Sequence, residues 1–274
     1  MAESSIHPEK QLREFFAAKY GIAFDNVKNR KLRQEVESRL NAAGFVSWQH
    51  YFDRFIDPEN KGDEEERLLF KLTNNETYFF REKEHFQALT ESVIPELICC
   101  RPQGRPVCIW SAGCSSGEEV YSIAIAIQEK FAGGAGQFKI IGSDVHRLIL
   151  EEGRQGVYGG RTLKQVSRPM LRKYFEPINR QYRLGDEIRS RAEFFAFNLA
   201  RPVMTEWLKG VDIIFCRNVL IYLNGEAADR LISFFHGLLP KKGALFLGSS
   251  EDPHDQGRLF ALEKLEKCHF YQKK

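Results

Sequence analysis

Apolar side chains recur at helical spacing through the first part of the chain, up to about residue 90. Such positions, three and four residues apart, are typical of one face of a helix. Acidic residues after Pro58 predict a further helix over 64–73, because acids in a first turn complement the helix dipole. The pattern predicts an all-helical N-terminal domain over 1–88. Its apolar positions are Leu12, Phe15, Phe16, Tyr20, Val36, Leu40, Phe45, Trp48, Tyr51, Phe52, Phe55 and Ile56.

From about residue 105 the pattern changes to short, continuous apolar runs, which suit strands buried on both faces. Helical patterns lie between them at 121–131 and 227–239, and 262–271 is predicted to hold one or two closing strands. Alternating strands and helices predict an α/β domain over 89–274, with an open, Rossmann-like sheet and helices on both faces. The apolar runs are 107–110, 138–141, 211–216 and 244–247.

A long insertion, about 150–195, separates the second and third of these runs. It is too long for a single crossover helix. Two strand-like runs within it, 182–184 and 192–197, are separated by Gly185 and Asp186. We therefore predict a small antiparallel β-subdomain at about 171–196.

Composition narrows the class of protein. The 274 residues carry 40 Lys and Arg against 37 Asp and Glu, a net charge of +3, which argues against a nucleic acid as partner. The six cysteines form no CxxC pair, so neither a zinc site nor any other metal site is expected, and the thiols are predicted to be reduced. No signal peptide and no run of ~18 apolar residues is present, which predicts a cytoplasmic protein without membrane insertion.

The segment 109–122 reads as a strand, a loop of small residues and a helix. Gly113 and Gly117 let the backbone approach a ligand, but their spacing is not that of a dinucleotide or P-loop motif. Glu118 and Glu119 would repel a pyrophosphate and attract an ammonium or sulfonium group, which favours S-adenosylmethionine. The alternative is a tight turn in which both acids only complement the helix dipole.

Polar residues also follow the next strands. Asp144 can accept hydrogen bonds from ribose hydroxyls, although an Asp after a strand is also typical of a cap. Arg217 and Asn218 end the run 211–216 and would face the same crevice, with a helix cap and a core Tyr222 as the alternative. Before the sheet, the aromatic run 78–80 is most simply core, and Arg81 most simply a surface cation.

Six segments of the chain resemble, in their order along the sequence, the successive motifs of the CheR-type chemotaxis receptor methyltransferases, a family of protein-glutamate O-methyltransferases. The resemblance extends over about 70–274 and implies a class I methyltransferase sheet, a helical N-terminal domain and an inserted β-subdomain. The segments are 75–81, 110–119, 143–144, 197–199, 214–222 and 248–251.

The resemblance assigns site residues. It implies that Arg81 and Tyr222 stand nearest the transferred methyl and act as the catalytic residues. Val120 replaces the family's usual proline, and His146 stands where a second acid is common, which concerns loop geometry more than activity. The cofactor residues expected from the resemblance and from the glycine loop are Asn75, Thr77, Arg81, Gly113, Glu119, Asp144, Asn198, Leu199, Arg217 and Asn218.

The implied reaction moves a methyl group from S-adenosylmethionine to a receptor glutamate, giving a methyl ester and S-adenosylhomocysteine. The carboxylate is already ionised at pH 7, so no general base is required. Catalysis by Cys114 is disfavoured because no His is placed to activate it. The alternatives are a methyltransferase for another acceptor and a non-catalytic regulator that binds the cofactor.

Basic clusters predict where an acidic receptor domain is met. The insertion at 150–195 carries ten basic and six acidic residues, a net charge of +4. A second cluster lies in the helical domain at Lys28, Arg30, Lys31 and Arg33. Both could meet the cytoplasmic signalling domain of a methyl-accepting receptor, and both could equally be solvated faces. The insertion between Tyr174 and Phe194 is short for docking a tethering receptor peptide.

Overall fold

The chain divides into two compact units. The first comprises 1–75 together with Tyr222–Ala227, and the second comprises 76–221 and 228–274. The boundary predicted at 88 and 89 therefore differs from the one found. A computed structural model describes residues 7–43, 45–57, 61–73, 76–100, 104–131, 137–254 and 257–274.

The first unit is built from helices, as the apolar spacing predicts. Gly21 ends α1 in a left-handed conformation (φ 63°), and the Ser47 hydroxyl caps α3 by accepting from the His50 N–H at 3.1 Å. Phe16 and Phe55 are buried against each other at its centre. The helices are α1 (Pro8–Tyr20), α2 (Asn26–Ala43), α3 (Trp48–Ile56) and α4 (Lys61–Leu72).

The second unit holds most of the remaining helices. A π-helical stretch, Leu89–Val93, joins α5 to α6, and the 3₁₀ turn Gly160–Leu163 precedes α9. In the described ranges, no helix is both long and apolar enough to cross a membrane. The helices are α5 (Lys83–Ala88), α6 (Ile94–Cys100), α7 (Glu118–Lys130), α8 (Arg147–Gln155), α9 (Arg168–Tyr174), α10 (Asp186–Arg189) and α11 (Gly225–Leu238).

The strands form two sheets. Within the described residues, the larger has seven strands in the order β6-β2-β1-β7-β8-β10-β9, and the smaller has three in the order β3-β5-β4. In the larger sheet β6, β2, β1, β7 and β8 run parallel, while β10 is antiparallel to both neighbours. The strands are β1 (Val107–Ala112), β2 (Phe138–Asp144), β3 (Val157–Tyr158), β4 (Phe175–Ile178), β5 (Gln181–Leu184), β6 (Ala192–Ala196), β7 (Val211–Cys216), β8 (Ala244–Leu247), β9 (Phe260–Lys264) and β10 (His269–Lys273).

The centre of the larger sheet is covered on both faces. Every residue of β1, β7 and β8 is buried. On one face Phe215 stacks on Phe86 of α5, and on the other Trp110 meets Phe235 of α11. Phe79, Phe80 and Phe86 belong to the same core, which explains why the unit begins before residue 88. The predicted α/β, Rossmann-like class is confirmed, with the small antiparallel sheet as an appendage.

The prediction for 192–197 is wrong in one respect. These residues were expected in the antiparallel subdomain, but β6 pairs in parallel with β2 at the edge of the larger sheet. Phe194 explains the choice, because its ring is buried and packs on Tyr121 of α7. The appendage instead recruits β3, a two-residue strand that precedes the predicted subdomain.

Candidate functional site

The predicted polar residues gather at one edge of the larger sheet. Parallel strands end on the same side, so the loops that follow β1, β2, β6 and β7 meet there. The order of the strands makes β1 and β7 the switch point, where neighbouring connections leave in opposite directions. Gly113, Asp144, Asn198 and Arg217 each follow or end one of these strands. Asn75, also predicted for the site, lies outside the described residues.

The loop after β1 has no room for a side chain at Gly113. This residue has φ 82°, and a Cβ built there would lie 2.5 Å from Cγ2 of Val219. Its N–H donates to the carbonyl of Ser143 at 2.8 Å, so the loop is fixed to the end of β2. Ser115 (φ 49°) and Gly117 (φ 89°) then turn the chain into α7. Position 113 of this loop therefore requires glycine.

Asp144 ends β2 and organises the loops beside it. Its Oδ2 accepts the N–H of Ser115 at 2.9 Å, and its Oδ1 accepts the N–H of His146 at 3.0 Å. The residue is nearly buried, with 8 % of its surface exposed. A carboxylate oxygen can accept more than one hydrogen bond, so each oxygen keeps capacity for a further donor.

Arg217 is the centre of a buried ion network. Its Nη1 donates to Glu119 Oε2 at 3.0 Å, its Nη2 donates to Glu82 Oε2 at 2.9 Å, and Nη2 also donates to the carbonyl oxygen of Arg81. The Ser111 hydroxyl donates to the other oxygen of Glu119, Oε1, at 2.7 Å. We call Arg217, Glu82 and Glu119 the Arg217 network. Only 2 % of the Arg217 side chain is exposed, so its charge requires this pairing.

The network shifts the pKa of each acid differently. Burial tends to raise the pKa of Glu82, but the charge of Arg217 and its hydrogen bonds outweigh burial and hold that pKa below its usual value. Glu119 is more deeply buried, and burial raises its pKa although Arg217 and Ser111 oppose the rise. His85, 3.4 Å from Glu82, has its pKa lowered to about 4 by burial and by the charge of Arg217, so it is neutral at pH 7.

Asn218 follows Arg217 in a left-handed conformation (φ 60°). Its N–H donates to Glu251 Oε2 at 2.6 Å, and the same oxygen accepts the N–H of Gly248 at 2.8 Å. Glu251 therefore ties the end of β7 to the end of β8. The Asn218 side-chain Oδ1 is buried and has no hydrogen-bond partner in the described part of the chain.

Asn198 and Leu199 follow β6. The Asn198 Oδ1 accepts the N–H of Ala200 at 3.0 Å, which fixes the turn. Leu199 is buried, and its Cδ1 lies 3.6 Å from where a Cβ of Gly113 would stand. Val219 and Leu199 are thus the side chains closest to the position that a Cβ of residue 113 would occupy.

Arg81 lies on a turn that is held from both sides. Phe80 (φ 56°) and Glu82 (φ 54°) are both left-handed, and the Phe80 N–H donates to the Ser122 hydroxyl at 2.9 Å. The carbonyl of Arg81 faces the Arg217 network, whereas its guanidinium makes a 3.3 Å hydrogen bond to the carbonyl of Glu76 and a contact with the Tyr78 ring. Thr77, in the same segment, is half-buried.

Tyr222 belongs to the first unit. Its carbonyl accepts the N–H of Ala23 at 2.9 Å, and the ammonium of Lys28 lies 5.6 Å from its ring centroid. Lys28 is one of the four predicted basic residues of the helical domain. The structure therefore brings one predicted catalytic residue to one predicted partner-binding residue.

Cys114, in the loop before α7, and Glu118, the first residue of α7, are two further nucleophilic or acidic groups near the site. Burial, together with the charges of Asp144 and Glu119, raises the pKa of the Cys114 thiol, which agrees with a packing role rather than a nucleophilic one. Burial also raises the pKa of Glu118 to about 7, against a hydrogen bond from the Ser116 hydroxyl.

Sequence reasoning missed two residues at this edge. Glu82 was given no role, and it lies 135 positions from the arginine that it pairs with. Glu251 stands in the motif 248–251, but its hydrogen bonds to two separate turns could not be read from that motif. Glu82 directly follows Arg81, and Glu251 lies four residues after the end of β8, but neither position indicates which groups the acid contacts.

The sequence is similar to those of known methyltransferases. The model of the family "CheR methyltransferase, SAM binding domain" matches residues 75–268. "Chemotaxis protein methyltransferase 2" of Vibrio cholerae serotype O1 is 33 % identical over 265 residues, covering 96 % of this chain and 91 % of that protein. "Chemotaxis protein methyltransferase Cher2" of Pseudomonas putida is 34 % identical, covering 88 % and 89 %. The "Chemotaxis protein methyltransferase" of Escherichia coli K12 is 30 % identical, covering 92 % and 87 %. The chain belongs to the CheR methyltransferases, whose catalytic domain binds S-adenosylmethionine.

Proposed function

We propose that this chain transfers a methyl group from S-adenosylmethionine to glutamate side chains of a chemotaxis receptor. The products would be a glutamate methyl ester and S-adenosylhomocysteine. The observation that carries the proposal is that the family match covers 75–268, and that its predicted polar residues end neighbouring strands at one edge of the sheet. The relatives are named chemotaxis protein methyltransferases, and this substrate class comes to the chain through that relationship.

The residues at this edge fit S-adenosylmethionine. Gly113 keeps the loop after β1 free of a side chain at a point where a Cβ would lie 2.5 Å from Cγ2 of Val219. Asp144 keeps acceptor capacity suited to ribose hydroxyls, and the buried Oδ1 of Asn218 has no donor among the described residues. Glu119 lies at the same edge, where it accepts from Arg217 at 3.0 Å and from the Ser111 hydroxyl at 2.7 Å. These features support cofactor binding by Gly113, Glu119, Asp144, Asn198, Leu199 and Asn218, with Thr77, Arg81, Arg217 and the undescribed Asn75 as further predicted members.

The chemistry requires placement rather than proton transfer. Bound S-adenosylmethionine supplies a methyl group on a positively charged sulfur. A glutamate acceptor is ionised at pH 7, since its pKa is near 4.3. Arg81 is our candidate to hold that carboxylate in line, because a guanidinium matches carboxylate geometry. Its guanidinium has no carboxylate partner among the described residues, which supports this role. Tyr222 stays a predicted catalytic residue.

The basic cluster of the helical domain is proposed to meet the receptor. Its four members are not equivalent, because Arg33 pairs with Glu9 at 2.9 Å and Lys28 lies 3.7 Å from Asp25. Arg30 and Lys31 are exposed and have no ion pair in the described ranges. These two are therefore the stronger candidates for an acidic receptor surface. A cytoplasmic location stays a prediction of the sequence.

The test is a radiolabelled methyl-transfer assay with and without a receptor cytoplasmic fragment. The proposal expects label on the receptor that is released as methanol by mild base, as a carboxyl ester requires. Label on another protein or a small molecule would favour a different acceptor. Tight binding of S-adenosylhomocysteine without transfer to any receptor would favour a non-catalytic regulator. Either result would contradict the proposal.

A further inference from the structure

Two cations contact one aromatic ring beside the Arg217 network. The ammonium of Lys164 lies 3.6 Å from the ring centroid of Tyr78, and the guanidinium carbon of Arg81 lies 5.8 Å from it. We call Tyr78, Arg81 and Lys164 the Tyr78 site. Both cations are within cation–π range of the ring, which orients them while leaving their charges available.

Neither cation of the Tyr78 site pairs with an acid in the described ranges. The guanidinium of Arg81 donates to the carbonyl of Glu76 at 3.3 Å instead. Lys164 is exposed, and Tyr78 and Arg81 are half-exposed. Two like charges at one ring repel each other, and an anion bound between them would relieve that repulsion. The arrangement is therefore suited to a carboxylate.

The backbone holds the Tyr78 site in place. The N–H of Phe79 donates to the carbonyl of Thr162 at 2.9 Å, which joins the Tyr78 segment to the 3₁₀ turn Gly160–Leu163 just before Lys164. On the other side, the carbonyl of Arg81 accepts from Arg217. The positions of Lys164 and Arg81 thus follow from hydrogen bonds of the fold rather than from a chance approach of two surface side chains.

Lys164 differs from other basic residues of the insertion at 150–195. Arg154 pairs with Glu151, Arg189 pairs with Asp186, and Lys173 pairs with Glu129. Arg172 is exposed and unpaired in the described structure, but it makes no contact with Tyr78. Among these, Lys164 alone combines an unpaired charge with a place beside Arg81. Net charge over the whole insertion does not distinguish it.

We propose that the Tyr78 site binds side-chain carboxylates of the acceptor protein, and that Lys164 is a substrate-binding residue. The inference rests on the proposed function, in which Arg81 holds the carboxylate that is methylated. Lys164 then holds a neighbouring acid of the same acceptor segment. The site would favour glutamates with a second acid close by over isolated ones.

The test compares Lys164→Ala with Arg172→Ala, which removes the same charge from the same insertion. Lys164→Ala should raise the KM for a receptor fragment about fivefold, as expected for one exposed ion pair. The kcat should stay within about twofold, and the affinity for S-adenosylhomocysteine, measured by calorimetry, should not change. Arg172→Ala should leave all three values unchanged. Lys164→Arg keeps the charge and should restore most of the KM.

Ionic strength and direct binding complete the test. The ratio of KM values between Lys164→Ala and wild type should shrink as salt is raised, because salt screens exposed charges. Binding of a glutamate-rich peptide from the receptor methylation region, followed by fluorescence anisotropy, should weaken about fivefold in Lys164→Ala. If the wild type transfers no methyl group to the receptor but Lys164→Ala still binds the peptide about fivefold more weakly than the wild type, the proposed function is overturned and the Tyr78 site stands. Equal KM and equal peptide binding for Lys164→Ala and Arg172→Ala would overturn the Tyr78 site itself.

Discussion

The Arg217 network and the Tyr78 site both contact the turn at Arg81, the first through its carbonyl and the second through its guanidinium. The two clusters differ in burial and in whether their arginine is paired with an acid. Arg217 is buried and surrounded by acceptors, whereas Arg81 is half-exposed and has no acid partner in the part of the chain that the structure describes. The sequence predicts both arginines for the cofactor site. The difference shows that residue type alone does not separate a guanidinium used to build a site from one left available to a ligand. Burial and pairing separate them.

The physical reason is the cost of removing a charge from water. A buried guanidinium needs its acids and hydrogen bonds, and the acids need the guanidinium. At the surface, water replaces the missing partner, so an exposed cation can stay unpaired at little cost. The comparison predicts that changes in the Arg217 network affect stability, and that changes in the Tyr78 site affect substrate use.

The largest effect is expected for Arg217→Ala. Removing the guanidinium leaves Glu82 and Glu119 buried without a cation, which costs about 3–5 kcal/mol in comparable cases. The measurement is the free energy of unfolding in urea for the variant and the wild type. A loss below about 1 kcal/mol would break the comparison, since Arg217 would then not be needed for the stability of the fold.

Arg81→Ala should lower methyl transfer on the order of 100-fold, as removal of a well-placed charged or polar group at a reacting centre does. Its free energy of unfolding should change by less than about 1 kcal/mol, because the side chain has no ion pair with any described residue to lose. Lys83→Ala is the matched control, since Lys83 is an exposed cation two residues away. Unchanged turnover in a folded Arg81→Ala protein would remove Arg81 from the reaction.

Glu118 sharpens the comparison, because it is a buried acid with no cation among the described residues. Its pKa in the folded state is about 7, against an ordinary value of 4.5, because burial favours the neutral, protonated carboxyl. The stability that this group contributes is fully present below pH 4.5 and is lost as pH rises through 7. Glu118→Gln should therefore gain about 1–3 kcal/mol relative to wild type between pH 5 and pH 8.

The check is urea unfolding of both proteins across that pH range. The difference between variant and wild type isolates Glu118 from the other titrating groups. A difference that stays constant from pH 5 to pH 8 would show that Glu118 titrates normally and that its burial does not need compensation.

The smallest effect is expected for Glu91→Gln. Glu91 pairs with Lys130 at 3.7 Å, with 63 % and 51 % of the two side chains exposed. Such a pair contributes about 0.5 kcal/mol or less. Thermal unfolding should scarcely distinguish the variant from wild type, and a loss approaching that of Arg217→Ala would contradict the distinction between buried and exposed pairs.

Much of the fold could be predicted because its signals are local. The apolar runs at 107–110 and 211–216 became β1 and β7, and helical spacing located α1 and α3. Strand pairing is not local, which is why β6 was misplaced. The alternation in 192–197 predicts a strand but cannot say whether β2 or β5 will be its neighbour.

The site could be predicted in part for the same reason. Gly113, Asp144 and Asn218 follow strands, and strand ends converge in a parallel sheet. Glu82 could not be found, because its pairing with Arg217 depends on two left-handed residues that turn the chain at 80–82. Contacts of this kind require the folded backbone.

The segment Tyr222–Ala227 bears on how this protein can be dissected. It leaves the second unit, exchanges backbone hydrogen bonds with the turn after α1 (Ala23 to Tyr222 at 2.9 Å, Asn224 to Gly21 at 2.7 Å), and the chain then returns to the second unit at 228. A chain that begins at residue 76 would keep every described strand of the larger sheet and still lose the hydrogen-bond partners of this segment. The helical unit comprises two separate stretches of the chain, so deleting the first leaves the second without the backbone groups that hold it.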